Sequence, residues 1–484
     1  MNTIATDEIN EANNISYLLV LTRHGFRTAN PLPNYDSFGD NYVMRTGVEP
    51  KFLSPNGFGQ LFLLGKQIRS FYDPFFTELE KENEPEFRVF SSDVERTKLS
   101  AIALKNGITG QNKILELEEE LGSEYTLPNW KFPLEDIEQI RSQTEYIKRE
   151  EIDFSELICA NPQLDPELRT HQAPIFESYT KCENEYLYKV LEDQIRKTPQ
   201  FEIFRDELLK INQMSEETKN IIRKGFRGNV KNLVRYANFI SHECVVNSKS
   251  PLRSYKKLLE SANLINDISH ALRYAYFDGD KITAAPLINR IIKTLSSYLE
   301  NHKDSKITGQ KKMIDIMSTH DTTLTPILFL FDLSSIEEIR KDLVYEHLIS
   351  DKNIMRFKSG SSMIFEIIKK CENLYLRLRF DGNLVPLSSR WSPKNRSLND
   401  GYKLEEAIEI LEKISIQKPA EHAEKMIERL ADRLEKIDEK KILNDALEQD
   451  LDKKIMPEIE EIKVIAPGLD LVLSSEDKNI IKRI

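Results

Sequence analysis

Six residues, in three well-separated segments, have the types that chemistry on a small anion needs. Arg23, His24 and Arg27 stand in Thr22-Arg23-His24-Gly25-Phe26-Arg27. Arg96 stands in Val89-Phe90-Ser91-Ser92-Asp93-Val94-Glu95-Arg96-Thr97, and His320 with Asp321 in Ser318-Thr319-His320-Asp321-Thr322-Thr323. Guanidinium forks match phosphate oxygens bidentately, so the arginines point to a phosphate-like ligand. An imidazole between two arginines is a candidate nucleophile, and a carboxyl is a candidate proton donor. Each segment alone fits something plainer: a loop with a structural histidine, a surface ion pair at Arg96, or a helix start capped by Asp321.

The flanking sequence supplies the elements that must bring the three together. Ile15-Ser16-Tyr17-Leu18-Leu19-Val20-Leu21 is short, apolar and rich in large residues, as a buried strand of a mainly parallel sheet would be. Gly25 permits a tight turn after the histidine. Phe87–Phe90 reads as a strand leading to a helix over Arg96–Lys105, and Ile314–Thr319 as a strand leading to a helix start at His320-Asp321. Three strand-to-helix junctions therefore carry all six residues, and the carboxyl ends of such strands are where open α/β sheets place ligands. Further helices are expected over Gly57–Tyr72, from Ala285-Pro286-Leu287 to Glu300, and over Pro326–Leu333; Met363–Ile368 and Leu374–Phe380 read as a hairpin.

The three segments resemble, in order, the motifs of the histidine acid phosphatases, the larger branch of the histidine phosphatase superfamily. Arg-His-Gly-x-Arg is met at Arg23 to Arg27. Ser-(Ser/Thr)-Asp-x-x-Arg-Thr-x-x-Ser-Ala is met at Ser91 to Ala101, and His-Asp-Thr-Thr at His320 to Thr323. Leu53-Ser54-Pro55-Asn56-Gly57-Phe58-Gly59-Gln60 resembles the family's linking helix. The chain departs at Ala29, where the family usually has proline. The resemblance implies an acid phosphatase that forms a phosphohistidine at His24 and takes a small phosphomonoester. Arg23, Arg27 and Arg96 would grip the phosphate, His320 would donate a further hydrogen bond, and Asp321 would protonate the leaving oxygen. No metal or other cofactor is then required, because the arginines supply the charge. An inositol-polyphosphate phosphatase, or a catalytically weak phosphate-binding scaffold, are the competing readings.

At 484 residues with 40% hydrophobic and 30% charged residues, the chain can bury a large core. A net charge of -11 argues against nucleic acid or an anionic membrane as partner, and no stretch approaches the length of a membrane span. Residues 1–14 read as a flexible polar arm without a signal-peptide pattern, so a cytoplasmic location is expected unless the given chain is trimmed. Cys159, Cys182, Cys244 and Cys371 are too scattered for a zinc site. Cys159 resembles a family cysteine that is normally bridged, but no obvious partner lies near 390–400.

The expected architecture is α/β: a mainly parallel central sheet flanked by helices, with core segments 15–128 and 281–400. An inserted all-helical cap over 129–280 would cover the site, and 401–484 would form a helical extension. In the cap, His171, His242 and His270 show no metal or triad spacing, and Arg223, Lys224, Arg227 and Lys231 read as a solvated face. Ile427, Leu430, Leu434 and Ile437, then Leu443, Leu447 and Leu451, keep a three-four spacing. These helices are expected to pack back on the core or on one another, with self- or partner association as the alternative.

Overall fold

The structure is a computed structural model; it describes residues 14–28, 51–81, 86–110, 199–211, 230–246, 251–274, 279–304, 312–334, 357–388, 397–432 and 434–435, residue 219, and three short strands. The chain divides into two compact units, Met1–Ile427 and Glu428–Ile484. The described residues of the second, 428–432 and 434–435, are helical.

The first unit is built on a mixed sheet. Its strands are β1 (Ile15–Arg23), β2 (Glu86–Ser91), β5 (Gln163–Leu164), β6 (Met313–Thr319), β7 (Ser362–Lys370), β8 (Asn373–Phe380), β9 (Asn383–Val385) and β10 (Tyr402–Lys403). The order is β10-β8-β7-β1-β6-β2-β5, with β9 also paired to β8. β1, β6, β2 and β5 are mutually parallel, while β7 to β10 form an antiparallel half. β3 (Lys113–Leu115) and β4 (Glu145–Ile147) pair separately.

Strand β1 is buried along its whole length because helices cover both faces of the sheet. Alternate side chains go to opposite layers. Tyr17, Leu19 and Leu21 join one core with α7 (Gly279–Asp304), α8 (Asp321–Leu330) and α9 (Leu404–Ile414). Leu18 and Val20 join the other, with α1 (Pro55–Phe71), α2 (Asp73–Leu79) and α3 (Glu95–Ile108). Each fully buried leucine of this kind contributes about 1.5–3 kcal/mol relative to exposure.

The stretch 129–280 is not all-helical. It supplies β5 to the sheet edge and β4 to the small pair. Two- and three-residue strands carry no periodic pattern to read. Helices α4 (Pro199–Leu209), α5 (Val230–Val246) and α6 (Lys256–Tyr274) do gather their own core around Phe204, Ile240 and Ile265, and Phe329 of α8 joins it. The 401–484 stretch begins inside the main core: Tyr402 pairs with Leu376, and Leu404, Ala407 and Leu411 of α9 are buried there. The expected leucine repeat at 443–451 lies outside the described residues, as do the arm 1–13, Ala29, His171, Cys159 and Cys182.

Two helices run longer than expected. α7 begins at Gly279, so Pro286 sits inside it, and α8 begins at Asp321 with Pro326 inside. Proline ordinarily stops or kinks a helix; here both prolines lie within two turns of the helix start. The hairpin falls where its alternation placed it, turning at Cys371-Glu372 with Cys371 at φ 55°. Among the described residues, no helix is long and apolar enough to cross a membrane.

Candidate active site

Strand register is what assembles the six residues. Arg23 pairs with Thr319, and Ser91 pairs with Ser318, so the parallel strands β1, β6 and β2 end at nearly one level. His24, His320 and Ser92 are the residues that come next. The two imidazoles lie with ring centroids 5.5 Å apart at an edge-on 68°. Arg23, His24 and His320 are buried, and Arg27 is half-buried.

The loop after β1 is held by backbone and by the helix that follows. The His24 amide donates to the Thr319 carbonyl at 3.0 Å, and the Gly25 amide donates to Ser100 Oγ at 3.0 Å. A Cβ on Gly25 would lie 2.1 Å from the Gly57 carbonyl oxygen, and one on Gly57 would lie 2.0 Å from that of Phe26. Gly25 is therefore needed for close approach of two backbones. Ser54 caps α1 by accepting from Gly57 N, and its hydroxyl donates to the Phe26 carbonyl at 2.9 Å. Gln60 accepts from Phe26 N at 3.3 Å and donates to the Ser359 carbonyl at 2.7 Å. The Leu53–Gln60 segment is thus the clamp on the loop that carries His24.

His24 Nδ1 lies 2.8 Å from the Gly25 carbonyl oxygen. A carbonyl only accepts, so Nδ1 carries the hydrogen and Nε2 keeps its lone pair. Burial, then the charges of Arg96 and Arg23, then His320 and Arg27, hold the ring well below the usual histidine range. It is neutral under conditions where an exposed histidine would be charged. Arg27 pays part of the same crowding: burial, and the repulsion of Arg96, bring it down to about 9.

His320 sits in a directional chain. Arg96 Nη2 donates to its Nδ1 at 3.3 Å, so its Nε2 carries the hydrogen and donates to Ser92 Oγ at 2.9 Å. Ser92 passes the chain to Thr97 Oγ1 at 2.8 Å, which donates to the carbonyls of Val94 and Ser92. Both ring nitrogens of His320 are thus engaged within the protein, Nδ1 with Arg96 and Nε2 with Ser92. His320 aims Arg96.

Asp321 stands at the first position of α8, where its Oδ1 accepts from Thr322 N at 2.8 Å. Oδ2 meets Arg23 Nη2 at 2.8 Å, while Arg23 Nη1 donates to the Phe357 carbonyl at 2.9 Å. Burial pushes the carboxyl up, but Arg23, His270, His24 and Arg27 together outweigh it and hold Asp321 well below the usual carboxylate range. The cap position of α8 is His320, not Asp321, and no side chain caps the helix; Asp321 is its first helical residue. His270, on α6, has no metal or triad spacing in the sequence, yet its Nε2 lies 3.6 Å from Asp321 Oδ2.

Among the described residues no group of histidines, cysteines and carboxylates could hold a metal ion. What the cluster offers chemically is a neutral, oriented imidazole nitrogen among guanidiniums, with a buried carboxyl beside it.

A family model described as the histidine phosphatase superfamily, branch 2, matches residues 14–381. No curated protein matches the sequence significantly. Among solved structures, a Bifidobacterium longum multiple inositol polyphosphate phosphatase in complex with inositol hexasulfate is similar at 12% identity and TM-score 0.53, covering 83% of this chain and 93% of its own. A Hafnia alvei phytase in complex with tartrate is similar at 12% identity and TM-score 0.52, covering 84% and 98%. At that identity these neighbours speak for the shared fold.

Proposed function

The chain belongs to branch 2 of the histidine phosphatase superfamily and is a phosphoric monoester hydrolase; on that premise we propose that it works without a metal, through a phosphohistidine on His24. The observation that carries this reading is the His24 Nδ1 contact to Gly25 O, which leaves Nε2 as a neutral nucleophile.

Arg23, Arg27 and Arg96 bind the non-bridging oxygens and stabilise the charge that spreads over them in the transition state. His24 Nε2 forms a bond to phosphorus as the ester oxygen leaves. Arg23 is engaged by Asp321, so an incoming phosphate competes for that guanidinium and adds negative charge beside the carboxyl. Both changes raise the affinity of Asp321 for a proton. The protonated acid then gives its proton to the leaving oxygen. Water next attacks the phosphohistidine, Asp321 takes a proton from it, and inorganic phosphate departs. His320 contributes through Arg96, and donates to the phosphate only once Arg96 turns from it and Nδ1 gains a proton. The exposed thiol of Cys371 fits a reducing, cytoplasmic setting, which is part of the same proposal.

The test is hydrolysis of nitrophenyl phosphate, lysophosphatidate, phytate and phosphotyrosine at several pH values, with and without EDTA. Turnover of simple monoesters unaffected by EDTA is the expected result. Turnover confined to phytate would favour an inositol-polyphosphate phosphatase, and turnover lost to EDTA would contradict the metal-free route.

A further inference from the structure

Helix α6 belongs to the inserted stretch, yet one of its faces ends at the proton donor. His270 Nε2 lies 3.6 Å from Asp321 Oδ2, with both side chains about 15% exposed (14% and 15%). Four residues on, and therefore on the same face, the Tyr274 hydroxyl donates to the Thr322 carbonyl at 3.1 Å. The Tyr274 ring also meets Phe329, with centroids 6.4 Å apart. One helix thus touches α8 at its first residues and again two turns later. The contact at Oδ2 is too long for a hydrogen bond and is within ion-pair range, so the imidazole, when protonated, attracts the carboxylate without anchoring it.

Resting on the role proposed above for Asp321, we propose that His270 is a positioning residue for that proton donor. Oδ2 is shared between Arg23 at 2.8 Å and His270 at 3.6 Å. When the substrate phosphate draws Arg23 away, His270 stays beside Oδ2. It then keeps the carboxyl turned from the phosphate-gripping arginines and toward the side of the site that the insertion covers. Proton delivery is in this way tied to the seating of α6 on α8. The groups facing Asp321 are Arg23 on β1, His24 and Arg27 on the following loop, and His270 on α6; those facing His270 include Asp321 from α8.

The experiment compares His270→Gln, His270→Asn and Tyr274→Phe with the unaltered protein and with Asp321→Asn. Each is assayed on an alkyl phosphate and on nitrophenyl phosphate across pH, with thermal unfolding of each variant measured alongside. For the His270 variants the expected result is a roughly 10- to 100-fold fall in kcat on the alkyl ester. The fall is much smaller on the nitrophenyl ester, whose good leaving group needs little acid. The alkaline limb of kcat for the alkyl ester also moves upward in pH, because removing a cation makes Asp321 a weaker acid. Tyr274→Phe, which leaves the charges in place, does not move that limb. An unmoved limb, or equal losses on the two esters, overturns the proposal, whichever of the two His270 variants gives it. If Asp321→Asn itself fails to separate the two esters, the acid assignment falls; if it separates them and the His270 variants do not, only the role of His270 falls.

Discussion

At the scale of single residues, the site solves a conflict of charge. In the proposed route His24 has to be neutral to attack, and burial, together with the cations placed to grip the phosphate, keeps it so. Asp321 has to be protonated to donate, and the same cations oppose that until an anion arrives. In the proposed route one group of arginines thus prepares the nucleophile, and the arrival of the phosphate lets the acid take up its proton. Asp321→Asn is therefore expected to lower kcat for alkyl phosphates by roughly 10²–10⁴, the usual worth of a general acid. The loss for nitrophenyl phosphate should be clearly smaller, and steady-state rates on the two substrates decide it.

The identity of these residues was legible in the sequence because each follows a short apolar run and carries an unusual functional group. Their partners were legible only in part. Ser92, Thr97 and Ser100 lie within the quoted motifs, but nothing in a string of letters orders them into the chain that runs from Arg96 through His320. His270 carried no signal at all, since its contact with Asp321 depends on how a helix of the insertion lands.

At the scale of elements, two pairings hold the site in place. Helices α1 and α3 lie side by side on one layer and approach at glycines: a Cβ on Gly65 would be 2.3 Å from Leu104 O, and one on Gly107 would be 2.1 Å from Phe62 O. Gly65→Ala or Gly107→Ala should part the two helices and cost about 1–3 kcal/mol, read from denaturant unfolding. Because α1 clamps the His24 loop and α3 carries Arg96, a fall in activity should accompany the loss.

The antiparallel half is fastened differently. Glu366, fully buried on β7, accepts from Arg377 Nε at 2.7 Å and Arg379 Nε at 2.6 Å on β8, and from Tyr72 at the end of α1. Burial alone would raise its pKa, but Arg379 and Arg377 bring it from 4.5 down to about 2. A depressed carboxyl stabilises the fold above its unfolded value and loses that contribution as pH falls from about 4.5 toward 2. Glu366→Gln should cost about 3–5 kcal/mol at neutral pH, since it strands two buried guanidiniums. Its stability should change less than that of the unaltered protein over the acid window, which unfolding curves at several pH values will show. The hairpin that carries this cluster was readable from its alternation, whereas nothing in the sequence links Glu366 to Arg377, Arg379 and Tyr72.

At the scale of the whole molecule, strand register gathers residues 24, 92 and 320 from three distant parts of the chain. The alternation of β1 between two helical layers makes that register strict, because a one-residue slip would exchange Tyr17, Leu19 and Leu21 with Leu18 and Val20. Architecture at this scale was largely readable where helices and strands are long. It was not readable at β5 and β10, whose two residues each are fixed by neighbours in space.

The central claim is that His24 Nε2 takes the phosphoryl group. The direct measurement is rapid denaturing quench of the enzyme during turnover of a phosphorus-labelled ester, followed by peptide mapping. The account predicts acid-labile, base-stable label on the peptide containing His24, and neither label nor turnover in His24→Ala. Label elsewhere, or substantial hydrolysis by His24→Ala, would contradict it.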